Sequence, residues 1–196
     1  MFHEIPQPVL NQMKALEEID AKDRQDGTPH LEQLRQIPPE TGKFLAILAA
    51  NTPKGAWLEI GTSGGYSALW IAQAANLCGT KLITYELLPD KASLAKKTFK
   101  KAKVDELVEF VHGDARGHVK DYGEVAFCFL DAEREMFLEF YELIVPNLVS
   151  GGILAADNVV SHREELAEFI TMAEEDATVD SVIVPIGKGL LVCRKL

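Results

Sequence analysis

The sequence predicts an α/β fold in which helices cover both faces of a doubly wound, mostly parallel sheet of seven strands. Two observations predict it. Short apolar runs alternate with longer segments of helical periodicity, and the last two apolar runs are separated by only residues 187–189. The alternation implies right-handed crossovers between parallel strands. Three residues are too few for a crossover, so the last two strands are expected to form an antiparallel hairpin.

Two helices are predicted first, followed by alternating strands and helices. Apolar residues from Val9 to Ile19 recur at helical spacing and predict a first helix over residues 8–20. Prolines at positions 38 and 39 set the start of a second helix, which should end near Asn51. Strands are predicted at 56–60, 81–86, 108–112, 125–130, 152–156, 179–186 and 190–194. The intervening helices are predicted at 66–75, 90–102, 116–120, 135–148 and 163–175.

Composition narrows the class of protein. The chain has 196 residues, which fits one domain, and 47% of them are hydrophobic, as in an ordinary globular protein. A net charge of -10 repels a phosphate backbone, so nucleic acid is not expected as a partner, and the lysines between 96 and 103 are expected on a solvated helix face. No apolar run approaches about 18 residues, so no membrane partner is expected, and a cytoplasmic location is the default.

Five acidic residues stand at or just beyond the C-terminal ends of predicted strands. They are Glu59, Glu86, Asp114, Asp131 and Asp157. Strand ends that share one direction form a single crevice, where ligands of α/β proteins bind. Unpaired like charges are costly to gather, so this rim indicates a cationic or polyhydroxylated ligand, with a metal as a further possibility.

A glycine-rich turn follows the first predicted strand. Residues 59–67 read EIGTSGGYS, in which small residues let the backbone approach a ligand closely. The turn lacks GxGxxG, which disfavours a dinucleotide. Glu86 lies 25 positions after Gly61, where a carboxylate can accept two hydrogen bonds from ribose, so a nucleoside-bearing cofactor is expected. Asp114 could accept from an adenine amine, or could only form a turn with Gly113.

Three candidate metal ligands follow two later strands. Asp131, Asp157 and Asn158 supply oxygen atoms suited to magnesium or another hard divalent ion, with positions left open for water and substrate. A structural role is the alternative for each. Asp131 could cap the helix that follows it, and Asp157 with Asn158 could form a turn.

Three motifs give a resemblance to a known family. The segments WLEIGTSGGYSAL at 57–69, FLDA at 129–132 and AADNV at 155–159 resemble those of the cation-dependent class I S-adenosylmethionine O-methyltransferases, which include catechol and caffeoyl-CoA O-methyltransferases. The similarity runs from about residue 37 to the end. It implies a Rossmann-like methyltransferase domain over 1–196, an N-terminal helical lid over 1–36, and a homodimer.

The resemblance also implies roles for individual residues. The cofactor S-adenosyl-L-methionine would be bound by Glu59, Gly61, Thr62, Ser67, Glu86, Asp114, Ala115 and Asp131. The divalent cation would be bound by Asp131, Asp157 and Asn158, and catalysis would involve Asp131 and Arg134. Relatives commonly carry a lysine base where this chain has Arg134. Because arginine is a poor base, an oxyanion-stabilising role is expected of it, with a plain surface residue as the alternative.

The expected function is therefore methyl transfer from S-adenosylmethionine to a hydroxyl of a small catechol-like or vicinal-diol acceptor, assisted by a divalent cation. Phe137 stands where relatives often have tyrosine, and His162 is expected to be a solvated loop residue outside the catalytic set. Three alternatives stay open at this point: methylation of a hydroxylated RNA nucleoside, a non-catalytic cofactor-binding regulator, and an NAD-dependent oxidoreductase.

Overall fold

The computed structural model describes residues 2–196. The strands are β1 (Ala56–Ile60), β2 (Leu82–Glu86), β3 (Val108–His112), β4 (Val125–Leu130), β5 (Leu148–Ala156), β6 (Val179–Val184) and β7 (Leu190–Lys195). The α-helices are α1 (Gln7–Asp23), α2 (Pro39–Ala50), α3 (Tyr66–Cys78), α4 (Pro89–Ala102), α5 (Phe137–Ile144) and α6 (Ala167–Glu175). Short 3-10 helices occupy Phe2–Glu4, Ala115–Gly117, Val119–Tyr122, Arg134–Met136 and Val145–Asn147.

All seven strands form one sheet in the order β3-β2-β1-β4-β5-β7-β6. Strands β1 to β5 pair in parallel, and β7 pairs antiparallel with both β5 and β6. The predicted doubly wound sheet with an antiparallel C-terminal hairpin is confirmed. The chain order reverses between β1 and β4, and in open α/β sheets such a switch point is where ligands bind.

Strand β4 shows why helices must cover both faces of the sheet. All six of its residues are buried. Phe127 and Phe129 pack in one core with α1 to α4, while Cys128 and Leu130 pack in a second core with α5 and α6. A strand buried on both faces reads as a continuous apolar run, as VAFCFL does. Of the helices within residues 2–196, none has the length and apolar character needed to cross a membrane.

Two predicted helices are shorter in the structure. The helix expected at 135–148 is α-helical only over Phe137–Ile144, because Pro146 has no N–H to continue it, and β5 already begins at Leu148. Between Leu148 and Ile153 the strand bulges, since these residues pair with Val125 and Phe127.

The helix expected at 163–175 begins only at Ala167. The preceding segment is folded into turns, with His162 N donating to Asn158 O at 2.9 Å and Leu166 N donating to His162 O at 3.1 Å. The helix expected at 116–120 is instead two 3-10 turns.

Candidate active site

The register of the sheet brings three strand ends side by side at the switch point. Ile60 pairs with Leu130, and Leu130 pairs with Ala156. The next residue of each strand continues this order, since Asp131 N donates to Ile60 O at 2.9 Å and Asp157 N donates to Leu130 O at 3.0 Å. The glycine turn, Asp131 and Asp157 therefore follow neighbouring strands at one edge of the sheet.

The glycine turn lies directly against the strand that carries Asp131. Gly61 has a φ of +100°, and a Cβ atom there would stand 2.1 Å from Asp131 O. Only glycine accommodates both that backbone conformation and that contact. The turn then leads into α3, and Thr62 and Ser67 line a small hollow beside it together with Gly61 and Asp131.

Glu59 lies behind the turn and does not line the main cleft. Its side chain is fully buried, Oε2 accepts a hydrogen bond from Thr84 Oγ1, and Thr84 in turn shares a hydrogen bond of 2.6 Å with Thr62 Oγ1. Glu59 Oε1 has no partner within residues 2–196. Burial raises the pKa of Glu59 to about 7. The hydrogen bonds through the two threonines support the turn from beneath, and Ser67 at the start of α3 lies close enough to lower the pKa of Glu59 against the effect of burial.

Glu86 ends β2 and lines the cleft. Its Oε2 accepts from Ser63 N at 2.7 Å and its Oε1 accepts from Leu88 N at 2.8 Å. Ser63 has a φ of +49°, so the first of these bonds stabilises a backbone conformation that serine rarely adopts. Each carboxylate oxygen has a further lone pair, which leaves Glu86 able to accept from a ligand's hydroxyl groups.

Asp114 and Ala115 lie farther along the same cleft. The Asp114 carboxylate caps the turn that follows it and binds the guanidinium of Arg116, with Nε to Oδ2 at 2.9 Å, and these bonds lower the pKa of Asp114. Arg116 also binds Glu139 at 3.0 Å. Tyr85 contributes a buried aromatic wall and stacks on His118 with 6.0 Å between ring centroids.

The candidate metal ligands are brought together. Asn158 Nδ2 donates to Asp131 Oδ1 at 2.9 Å, and Asn158 itself has a φ of +69°. Asp157 is buried, and its Oδ1 has no hydrogen-bond partner within the described chain. Burial raises the pKa of both aspartates, and the neighbouring charge of Asp131 raises that of Asp157 further.

These three residues fit a hard divalent cation. Two adjacent carboxylates, one with an orphaned buried oxygen, are costly without a compensating positive charge. Asn158 would have to turn its amide so that Oδ1 rather than Nδ2 faces the ion. Within residues 2–196 no set of three His, Cys, Asp or Glu side chains is placed to hold a metal, and the third oxygen of this set would come from the Asn158 amide.

Arg134 and His162 line the cleft that Asp131 also lines, whereas Phe137 does not. Arg134 Nε donates to Glu165 Oε2 at 2.6 Å. His162 is half-buried, not a fully solvated loop residue, and burial together with the charge of Arg134 lowers its pKa. Phe137 is completely buried and packs edge-on against Phe169 at 5.3 Å, so it is a core residue.

Three cleft cations were not predicted: Arg35, Lys91 and Lys188. Arg35 Nη2 binds Glu133 Oε1 at 2.6 Å. Lys91 is buried, and burial lowers its pKa, with the charge of Arg35 adding to the effect. The only sequence signal for any of them is the pair of glycines that flanks Lys188.

Comparison with known proteins shows the family to which the chain belongs. The sequence matches the O-methyltransferase family over residues 10–196. The catechol O-methyltransferase of Mycobacterium tuberculosis is 31% identical over 134 residues, covering 67% of this chain and 60% of that protein. The caffeoyl-CoA O-methyltransferase of Medicago sativa is 24% identical over 209 residues, covering 94% and 81%.

Solved structures show the same fold. A Podospora anserina methyltransferase with bound S-adenosylhomocysteine has a TM-score of 0.80 at 21% identity, covering 98% of this chain and 89% of that one. An O-methyltransferase of tomaymycin synthesis from Streptomyces achromogenes, in complex with S-adenosylmethionine, has a TM-score of 0.76 at 23% identity, covering 92% and 89%. Because the family match spans nearly the whole chain, the protein belongs to the O-methyltransferase family, with catechol and caffeoyl-CoA O-methyltransferases among its relatives.

Proposed function

We propose that this protein transfers the methyl group of S-adenosylmethionine to one hydroxyl of a small catechol-like acceptor, with a divalent cation, magnesium in the first place, beside the donor. One observation carries the proposal: the glycine turn touches the backbone of Asp131, with only 2.1 Å between a Cβ at position 61 and Asp131 O. A donor on the turn and a cation on Asp131 would therefore be neighbours. The names of the catechol and caffeoyl-CoA relatives support a hydroxylated acceptor.

The donor would lie along the turn and the cleft. Gly61, Thr62 and Ser67 line the hollow suited to its methionine part. Each carboxylate oxygen of Glu86 accepts one backbone hydrogen bond and has a further lone pair for a ribose hydroxyl. Asp114 and Ala115 border the far end, suited to adenine, where the Asp114 carboxylate would be shared with Arg116.

Glu59 would act on the donor only indirectly, by supporting the turn from beneath through Thr84 and Thr62.

The reaction is a displacement at carbon. A bond forms between the acceptor oxygen and the methyl carbon while the carbon–sulfur bond breaks, the sulfonium becomes a neutral thioether, and the hydroxyl proton passes to water. A cation held by Asp131, Asp157 and Asn158 would acidify the hydroxyl and orient it. Arg134, fixed by Glu165, supplies a permanent positive charge in the cleft wall that stabilises the acceptor as an oxyanion.

The N-terminal segment would act as a lid over a single domain of residues 1–196. Ser63 Oγ donates to Leu34 O at 2.9 Å, which ties the segment to the glycine turn. The Arg35–Glu133 ion pair ties it to the loop after β4. The C-terminal end of the segment, at Leu34 and Arg35, is thus held against the cleft from two sides. The homodimer implied by the resemblance is checked by sedimentation equilibrium.

A methyl-transfer assay tests the proposal. Labelled S-adenosylmethionine is incubated with catechol, resorcinol and phenol, with magnesium or with a chelator. Only adjacent hydroxyls can bind one cation together, so catechol should be methylated and resorcinol and phenol should not. Asp157→Asn should lose activity, and Asp180→Asn, at an exposed site on β6, should not. No product from any phenol, or equal products with chelator present, would overturn the proposal.

A further inference from the structure

The loop between β6 and β7 fixes Lys188 in the cleft wall. Gly187 has a φ of +57°, and a Cβ there would stand 2.5 Å from Thr41 Oγ1; Gly189 has a φ of +92°, and a Cβ there would stand 2.3 Å from Val160 Cγ2. Val160 N also donates to the Lys188 carbonyl at 3.1 Å. The loop is wedged between α2 and the segment after Asn158, so the position of Lys188 is set by packing on both sides.

Lys188 carries a positive charge without an ion-pair partner. Of the other three cleft cations, Arg35 is paired with Glu133 and Arg134 with Glu165, each at 2.6 Å. Lys91 also has no ion pair among the described residues, but its side chain is buried, whereas that of Lys188 is not. Within residues 2–196, Lys188 has no carboxylate within 4.0 Å. Its side chain is half-buried and lines the cleft together with Asp131 and Asn158.

Charge at this end of the cleft depends on what is bound there. A divalent cation would neutralise Asp131 and Asp157, whose charges Lys188 otherwise faces. The donor brings a sulfonium charge, because its amino and carboxylate groups cancel. With both bound, the charge of Lys188 is uncompensated and adds to that of the sulfonium. His30 and His162 border the same end. The nearby carboxylates Glu133 and Glu165 are already paired with Arg35 and Arg134.

We propose that the acceptor is a catechol with a negatively charged substituent, a carboxylate in the first place, and that Lys188 selects this acceptor. This inference rests on the proposed function. The carboxylate would pair with the Lys188 ammonium while the two hydroxyls face the Asp131–Asp157–Asn158 site. Leu31, next to His30 and 56% exposed, offers the aromatic ring an apolar surface at the same end.

Calorimetry on the enzyme loaded with magnesium and S-adenosylhomocysteine tests this without turnover. The probes are catechol, protocatechuate, which adds a carboxylate, and dopamine, which adds an amine. Protocatechuate should bind about 5- to 30-fold more tightly than catechol, which is the gain expected from one partly buried charge pair between its carboxylate and Lys188. Dopamine should bind more weakly than either, because its ammonium is repelled by Lys188. Lys188→Met should remove this order of affinities, and Lys188→Glu should reverse it.

Matched controls separate this inference from the proposed function. Lys54→Glu changes the net charge by the same amount as Lys188→Glu, but at an exposed site, and should leave the order of affinities unchanged. Unchanged affinity for S-adenosylhomocysteine in the Lys188 variants shows that they fold. If catechols bind and are methylated with no preference for protocatechuate, or if Lys188→Met keeps the preference, the inference fails alone. If no catechol binds or reacts, the proposed function fails and the inference with it.

Discussion

Replacing Glu86 by glutamine probes the two roles that the structure gives its carboxylate. It holds the backbone, accepting from Ser63 N at 2.7 Å and Leu88 N at 2.8 Å, and it is placed to accept from ribose. Glutamine keeps one accepting oxygen and turns an NH2 group toward one of these backbone donors. At least one charge-assisted bond is lost, so the free energy of unfolding should fall by about 1.5–3 kcal/mol.

The donor should bind more weakly for the same reason. Loss of one charge-assisted hydrogen bond of about 1.5–3 kcal/mol raises Kd by about 10- to 150-fold. Calorimetry with S-adenosylhomocysteine measures this. An analogue that lacks both ribose hydroxyls reports only the effect on the turn, so the Glu86→Gln variant should lose less affinity for the analogue than for the parent compound.

Glu109→Gln provides the matched control, because this carboxylate is exposed on the adjacent strand β3. It should leave both stability and affinity unchanged. A Glu86→Gln variant that binds S-adenosylhomocysteine within twofold of the wild type would show that this carboxylate does not contribute to donor binding. Equal losses for the parent compound and for the analogue would refute the ribose contact and leave only the role in the turn.

Three further predictions concern the residues around the turn. Burial raises the pKa of Glu59 from 4.5 to about 7. The neutral carboxyl therefore stabilises the fold by about 3 kcal/mol below pH 4.5, and this contribution is lost as pH rises through 7. In urea unfolding, Glu59→Gln should flatten this dependence of the free energy of unfolding on pH. Gly61→Ala, at a φ of +100°, should lower the free energy of unfolding by at least about 2 kcal/mol, and a melting temperature equal to that of the wild type would contradict this. Asp157→Asn should weaken Mn²⁺ binding at least about tenfold by calorimetry without loss of folding stability, since a repelling buried charge is removed.

The fold was predictable because its signals are local. Each strand is a short apolar run, and the three-residue gap before Leu190 leaves a hairpin as the only connection. The predicted bounds are wrong where tertiary contacts determine the beginning of a strand or helix. Leu148 joins β5 because it pairs with Val125 across a bulge, and the start of α6 is delayed by the turns that hold the segment after Asn158.

The candidate site was predictable to the extent that it follows strand ends. Asp131 and Asp157 follow neighbouring parallel strands, and the alternation of strands and helices already implies that such strands end at one edge of the sheet. Glu59 stands one residue before the end of its strand, so its side chain is buried behind the turn instead of lining the main cleft. Arg35 and Lys188 come from distant parts of the chain, and only packing shows that they reach the same cleft.

Crystals grown with Mn²⁺ and S-adenosylhomocysteine provide the most direct test of a shared donor and cation site. An anomalous manganese peak is expected in contact with oxygens of Asp131, Asp157 and Asn158, with the thioether sulfur beside it above the glycine turn. Manganese bound elsewhere with Asn158 Nδ2 still donating to Asp131 Oδ1, or the ligand bound away from Gly61 and Glu86, would contradict a shared donor and cation site.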